Sequence, residues 1–147
     1  MSIQFWHMQM FPGEAAGFAE KVPYILQHYQ FIGLGDWEEK KHQIPDFCER
    51  MKVNDVVAIK NGSRLVALVQ VIGGVYEVSD DPSEVGWIVY RRPIRVLDWA
   101  IDEKFLPHPR GTLNICESEE AKTTETIKDW YENVVRSFKL RGLPATV

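Results

Sequence analysis

The dipeptide Asn61-Gly62 stands between two runs rich in β-branched and aliphatic residues, Asp55 to Lys60 and Arg64 to Ile72. Both residues tolerate positive φ, so the pair predicts a two-residue I′ hairpin and makes the two runs antiparallel neighbours. The other strand-like segments are also short, mostly adjacent and hairpin-connected. Together they predict an α+β domain: a curved, mostly antiparallel sheet or small open barrel with helices packed around it.

Along the chain, Ile3 to Phe11 is rich in aromatics and stops at the turn signal Pro12-Gly13, which suits a buried first strand. Glu14 to Tyr29 carries Phe18, Val22, Ile25, Leu26 and Tyr29 at helical spacing, and Pro23 implies a break or restart within it. Phe31 to Trp37 holds two glycines two apart and reads as a turn that lets backbone approach something closely. Pro45 to Met51 reads as a short helix with Pro45 in its first turn. After the hairpin, Gly73-Gly74 permits a bend, and Ser79 to Glu84 is an acidic loop. Val85 to Trp99 reads as strand, with Pro93 splitting it or sitting at an edge. Thr112 to Cys116 reads as a last strand, and Ser118 as an N-cap ahead of a helix with Ile127, Trp130, Tyr131, Val134 and Phe138 on one face. Residues 1–141 are read as a single domain, and 142–147, with Gly142 and Pro144, as a tail that frays or starts a linker.

Length and charge narrow the function classes. A chain of 147 residues with 45% apolar residues can bury a proper core. Its net charge of −4 argues against holding bulk nucleic acid by charge alone, yet leaves room for a reader that touches one or two nucleotides. No stretch reads as a membrane span, and no signal peptide is evident. With Cys48 and Cys116 far apart and in no ligand spacing, two buried thiols in the reducing cytoplasm are expected.

Catalytic constellations are not found. His7, His28, His42 and His108 are scattered and suit satisfied or surface positions better than metal ligation. There is no nucleophile elbow and no phosphate-cradling loop. The acid-x-acid-x-Lys pattern of Asp36, Glu38 and Lys40 invites comparison with metal-dependent nucleases, but all three lie within five residues and read as a solvated charged stretch. The expectation is a binding protein with no metal and no cofactor. Five tryptophans are many for this length. Trp99 and Trp130 suit the core, whereas Trp37 and Trp87 lie beside glycine-containing turns, where a large ring must pack or bind.

In their order, these landmarks resemble the PUA-like superfamily, in particular its EVE and YTH branches. The aromatic first strand ends Met8-Gln9-Met10-Phe11-Pro12, and a helix leads to Ile32-Gly33-Leu34-Gly35-Asp36-Trp37. Met51-Lys52-Val53-Asn54-Asp55-Val56-Val57 is similar to the M-K-x-G-D-x-V entry of EVE domains, with Asn54 where glycine is usual. Ala67 to Gly73 follows, where the family commonly has G-I-G-x-V. Trp87 then precedes Arg91 to Trp99, similar to an R-x-V-x-W strand. The variant it most resembles forms DNA-reading domains in McrBC-type modification-dependent restriction systems.

The resemblance implies a pocket that holds one flipped or unpaired modified base, methylated and in DNA, with RNA as the other nucleic-acid partner. Carried over residue by residue, the pocket falls to Gln9, Met10, Phe11, Gly33, Leu34, Trp37, Trp87 and Tyr90. Arg91, Arg92, Arg95 and Arg110 are candidates for phosphate contact. Fusion to or association with a nucleotide-hydrolysing motor and nuclease subunit is implied as well. Two other functions remain open at this point: a small-molecule sensor using the same pocket, and a compact nuclease using Asp36, Glu38 and Lys40.

Overall fold

The computed structural model of the chain describes residues 3–10, 20–36, 43–101, 104–106, 112–116 and 122–147. Strand β1 is Phe5–Gln9, and α1, Val22–Tyr24, runs on into a π-helical turn, Ile25–Tyr29. Strand β2 is Phe31–Leu34, and α2, Gln43–Pro45, likewise continues as a π-helical turn over Asp46–Arg50. Then come β3 (Val56–Asn61), β4 (Arg64–Val71), β5 (Tyr76–Glu77), β6 (Tyr90–Trp99), β7 (Leu113–Ile115) and α3 (Lys122–Leu140).

The strands form one sheet in the order β2-β6-β4-β3-β1-β7, with β5 added alongside β6. Among the described residues only the β1–β3 pairing is parallel. Two register shifts curl the sheet: Val66 is an extra residue opposite β3, and Leu97 an extra residue opposite β4. The result is an α+β fold built on a curled, mostly antiparallel half-barrel, as expected.

Period-2 alternation explains both faces. Trp6, Met8, Val57, Ile59, Val69 and Val71 point to a first core that Val22, Ile25 and Leu26 of the first helix and Phe47 of the second close. Val56, Ala58 and Leu68 point the other way, where Ile127, Trp130, Val134 and Phe138 of α3 cover them. Strand β3 is therefore buried on both faces, which is why it reads as a continuous apolar run. No described helix is long and apolar enough to cross a membrane.

Buried polar groups fix the edges of this packing. Asp55, 2% exposed, accepts from the backbone N–H and the amide of Gln4, the Trp6 indole and the Lys52 N–H, at 2.9–3.0 Å. It ties β1 to the mouth of β3. Asn54 beside it adopts φ +77, the left-handed region that explains the glycine usual at this place in the resembled motif.

Several expectations need correction. Residues 31–34 are a strand, not a turn, because Gly33 serves a close approach inside the sheet: an added Cβ would lie 2.2 Å from Ile88 Cγ2 and 2.3 Å from the Tyr90 carbonyl oxygen. The hairpin turns on Gly62-Ser63, since Asn61 still pairs with Arg64. Gly62 has φ +62 but Ser63 has no positive φ, so the turn lacks the second positive φ that type I′ requires. The strand expected from Val85 begins only at Tyr90, and residues 84–87 form turns. Pro93 sits where β6 exchanges partners, pairing with Phe31 while the next residue pairs with Val71. Pro23 opens α1, where its missing N–H removes no helical bond, whereas Glu14 to Ala19 and the Ser118 cap lie outside the described residues. The two cysteines are free and half-buried, with burial pushing both thiols up.

The tail is not frayed. Gly142, φ +70, closes α3 in a Schellman arrangement, with Leu143 N–H donating to Phe138 O at 2.9 Å. Beyond it, Arg95 donates to the Pro144 carbonyl (2.9 Å) and the buried Gln70 amide to the Ala145 carbonyl (2.5 Å). Asn54 exchanges two hydrogen bonds with the backbone of Val147.

Candidate functional site

The expected pocket residues divide into three groups. Met10, Leu34, Trp87 and Tyr90 all belong to the first core cluster, with Met10 and Leu34 buried and Trp87 and Tyr90 half-buried at its margin. Gly33 pairs with Arg91 across β2 and β6. Gln9 does not join this group: its side-chain oxygen accepts from the Gly62 N–H at 2.9 Å, at the hairpin. Phe11, Trp37 and Arg110 lie outside the described residues, as do Glu38 and Lys40 of the charged stretch, whose Asp36 is exposed.

The loop between β5 and β6 is what brings Trp87 to this margin. Val85 and Ile88 are fully buried anchors on either side of it. The Val89 N–H donates to the Leu34 carbonyl at 3.1 Å, so the loop returns to the sheet directly beside the end of β2. Gly86 permits the fold-back, because an added Cβ would sit 2.1 Å from the Asp81 carbonyl oxygen. Tyr90 then faces a local acidic field: partial burial first, then the carboxylates of Asp36 and Glu77, raise its phenol above the usual value. It is a neutral hydroxyl donor at neutral pH, suited to an acceptor on a ligand edge.

Two of the four candidate phosphate-binding arginines are placed inside the protein. Arg91 is 6% exposed, and its guanidinium donates to the Ile88 and Val85 carbonyls and to Asp81. Arg92, 5% exposed, donates to the carbonyls of Phe47, Cys48, Met51 and Gly73 at 2.8–3.1 Å. It satisfies the end of the second helix, where a cation also suits the helix dipole. The surface position that phosphate contact needs is absent for both, because each is the internal donor for carbonyls that no strand or helix satisfies. Arg95 is half-buried, held by Gln70 (2.7 Å) as well as by the tail.

Sequence reasoning missed Asp81 and the buried pair His7 and Lys60. Asp81 had only its place in an acidic loop to mark it, and the partners that matter are Ser83 and Arg91, which hold its carboxyl down at about 2. Among the described residues no cluster of three or more His, Cys, Asp or Glu could hold a metal ion.

No family model and no curated protein matches the sequence. The fold is similar to the YTH domain of the Zygosaccharomyces rouxii MRB1 protein, solved in complex with N6-methyladenosine RNA: TM-score 0.51, 8% identity, 90% of this chain and 86% of that one. A hypothetical protein from Leishmania major is similar at TM-score 0.50 and 9% identity, over 96% of this chain and 98% of that one. At such identities the likeness is one of fold alone.

Proposed function

We propose that the chain is a nucleic-acid reader that holds one flipped or unpaired methylated base, in DNA, in an aromatic pocket, and that it acts by binding, without catalysis. The observation that carries this reading is that Leu34 and Tyr90 pair across β2 and β6 and the loop carrying Trp87 returns to the sheet beside them, with Trp87 and Tyr90 half-buried against the same core that holds Met10. The similar fold of a YTH domain solved on N6-methyladenosine RNA supports it. A base stacked on an aromatic wall gains about 1–3 kcal/mol, and extrusion from a duplex costs a few kcal/mol that polar contacts to the base edge must offset. Tyr90 is suited to such a contact, and Trp37 is the second wall in this reading. Arg95 and Arg110 remain the candidates for phosphate. The sequence resemblance to McrBC-type systems adds a motor and a nuclease subunit as partners.

Titration of the full chain with short duplexes and single strands, DNA and RNA, carrying methylated, hydroxymethylated or unmodified bases tests the reading. Tighter binding of a methylated strand that weakens steeply with salt supports it, because only nucleic acid releases condensed counterions. A preference for the RNA strands moves the substrate class to RNA. Equal binding of modified and unmodified strands contradicts it.

A further inference from the structure

We infer that Arg91 and Asp81 form a clamp that positions Trp87, making them positioning residues for base recognition; this rests on the reading of the chain as a base reader. Nε of Arg91 donates to the Ile88 carbonyl at 2.7 Å, and Nη2 donates to the Val85 carbonyl at 3.1 Å. Those two carbonyls bracket Gly86 and Trp87. Nη2 also reaches Asp81 Oδ2 at 2.8 Å, while Asp81 Oδ1 accepts from the Ser83 N–H at 2.8 Å. One planar fork thus holds the beginning, middle and end of the loop, and its face lies over the Phe31 ring, 4.5 Å from the centroid.

The geometry specifies arginine. A guanidinium offers donors in fixed directions, whereas an ammonium is a point charge that cannot hold the same three acceptors in one plane. A buried ion pair is also a poor stabiliser beside an apolar pair of similar volume. Its effect here is to define geometry, since a recognition site needs its walls held to within about 0.5 Å. Val85 and Ile88 lock the loop into the core, and the fork sets the angle at which the half-buried Trp87 between them leaves it.

The experiment uses the full chain with 15N-labelled tryptophan, in the parent, Arg91→Lys and Asp81→Asn, with Trp87→Phe to assign the signal. The Trp6 and Trp130 indoles, bonded to Asp55 and Asp98 at 3.0 and 2.7 Å, serve as internal references for the two cores. The expected result is a displaced Trp87 indole signal with Trp6 and Trp130 unmoved. With it, Kd for the methylated strand rises about tenfold while that for the unmodified strand stays level. Movement of all three indoles together assigns a merely structural role and overturns the inference. So does a displaced Trp87 with unchanged discrimination, or an unmoved Trp87 in Asp81→Asn, the milder variant that decides the matter if Arg91→Lys does not fold. A parent that discriminates no modified strand overturns the base-reader reading itself, whereas a discriminating parent with an unmoved Trp87 overturns the clamp alone.

Discussion

The ammonium of Lys60 lies 2.7 Å from Nδ1 of His7, and both side chains are buried, at 1% and 6% exposure. The ammonium donates to a neutral imidazole, so the contact requires His7 to stay unprotonated. Burial first, then the Lys60 charge, lowers His7 from 6.5 to about 4, and burial lowers Lys60 from 10.5 to about 8.

Between pH 4 and pH 6.5 the unfolded chain therefore binds a proton at His7 that the folded chain refuses, so stability falls as pH drops through that window. The loss is on the order of 3 kcal/mol, and His7→Gln, whose amide oxygen can still accept from Lys60, should remove it. Urea midpoints of parent and variant across the window check this. The same sign holds for Lys60: stability should rise between pH 8 and pH 10.5, and Lys60→Met should flatten that rise.

Two glycines should respond differently to the same change. Gly33→Ala drives a Cβ into Ile88 and the Tyr90 backbone and should cost about 3 kcal/mol. Gly62→Ala meets nothing within 4 Å and suffers only its φ of +62, so about 1 kcal/mol is expected. Thermal melts that reverse this order would contradict both assignments.

Arg92→Met should destabilise by about 3 kcal/mol or more, because the carbonyls of Phe47, Cys48, Met51 and Gly73 lose a buried donor. Denaturant unfolding measures it. A loss within a few tenths of a kcal/mol would contradict the capping role and return Arg92 to the surface arginines.

What was legible in the sequence was local. The hairpin, the first strand and the apolar face of α3 follow from periodicity and turn residues, and structure places each within a few positions of the expected bounds. What was not legible depends on distant partners. Gly33 looks like a turn residue until Ile88 and Tyr90 are seen to occupy its missing side chain. An arginine on a strand looks like a surface cation until carbonyls 41–45 residues away prove to be its acceptors, as for Arg92. The tail looks like a linker because Asn54, Gln70 and Arg95, which hold it, lie 49–93 residues earlier. At the candidate site, the bond between Arg91 and Asp81 behind Trp87 was not legible, since nothing in an acidic loop marks which carboxylate turns inward.

The central claim is that Trp87 stacks on a modified base, and Trp87→Ala tests it most directly when affinity and melting are measured together. The account predicts that the variant melts close to the parent and loses about 1–3 kcal/mol of affinity for a methylated strand, while that strand quenches the parent's fluorescence. A variant destabilised by about 3–5 kcal/mol, beside a parent whose fluorescence no methylated strand changes, would make Trp87 a core residue and contradict the account.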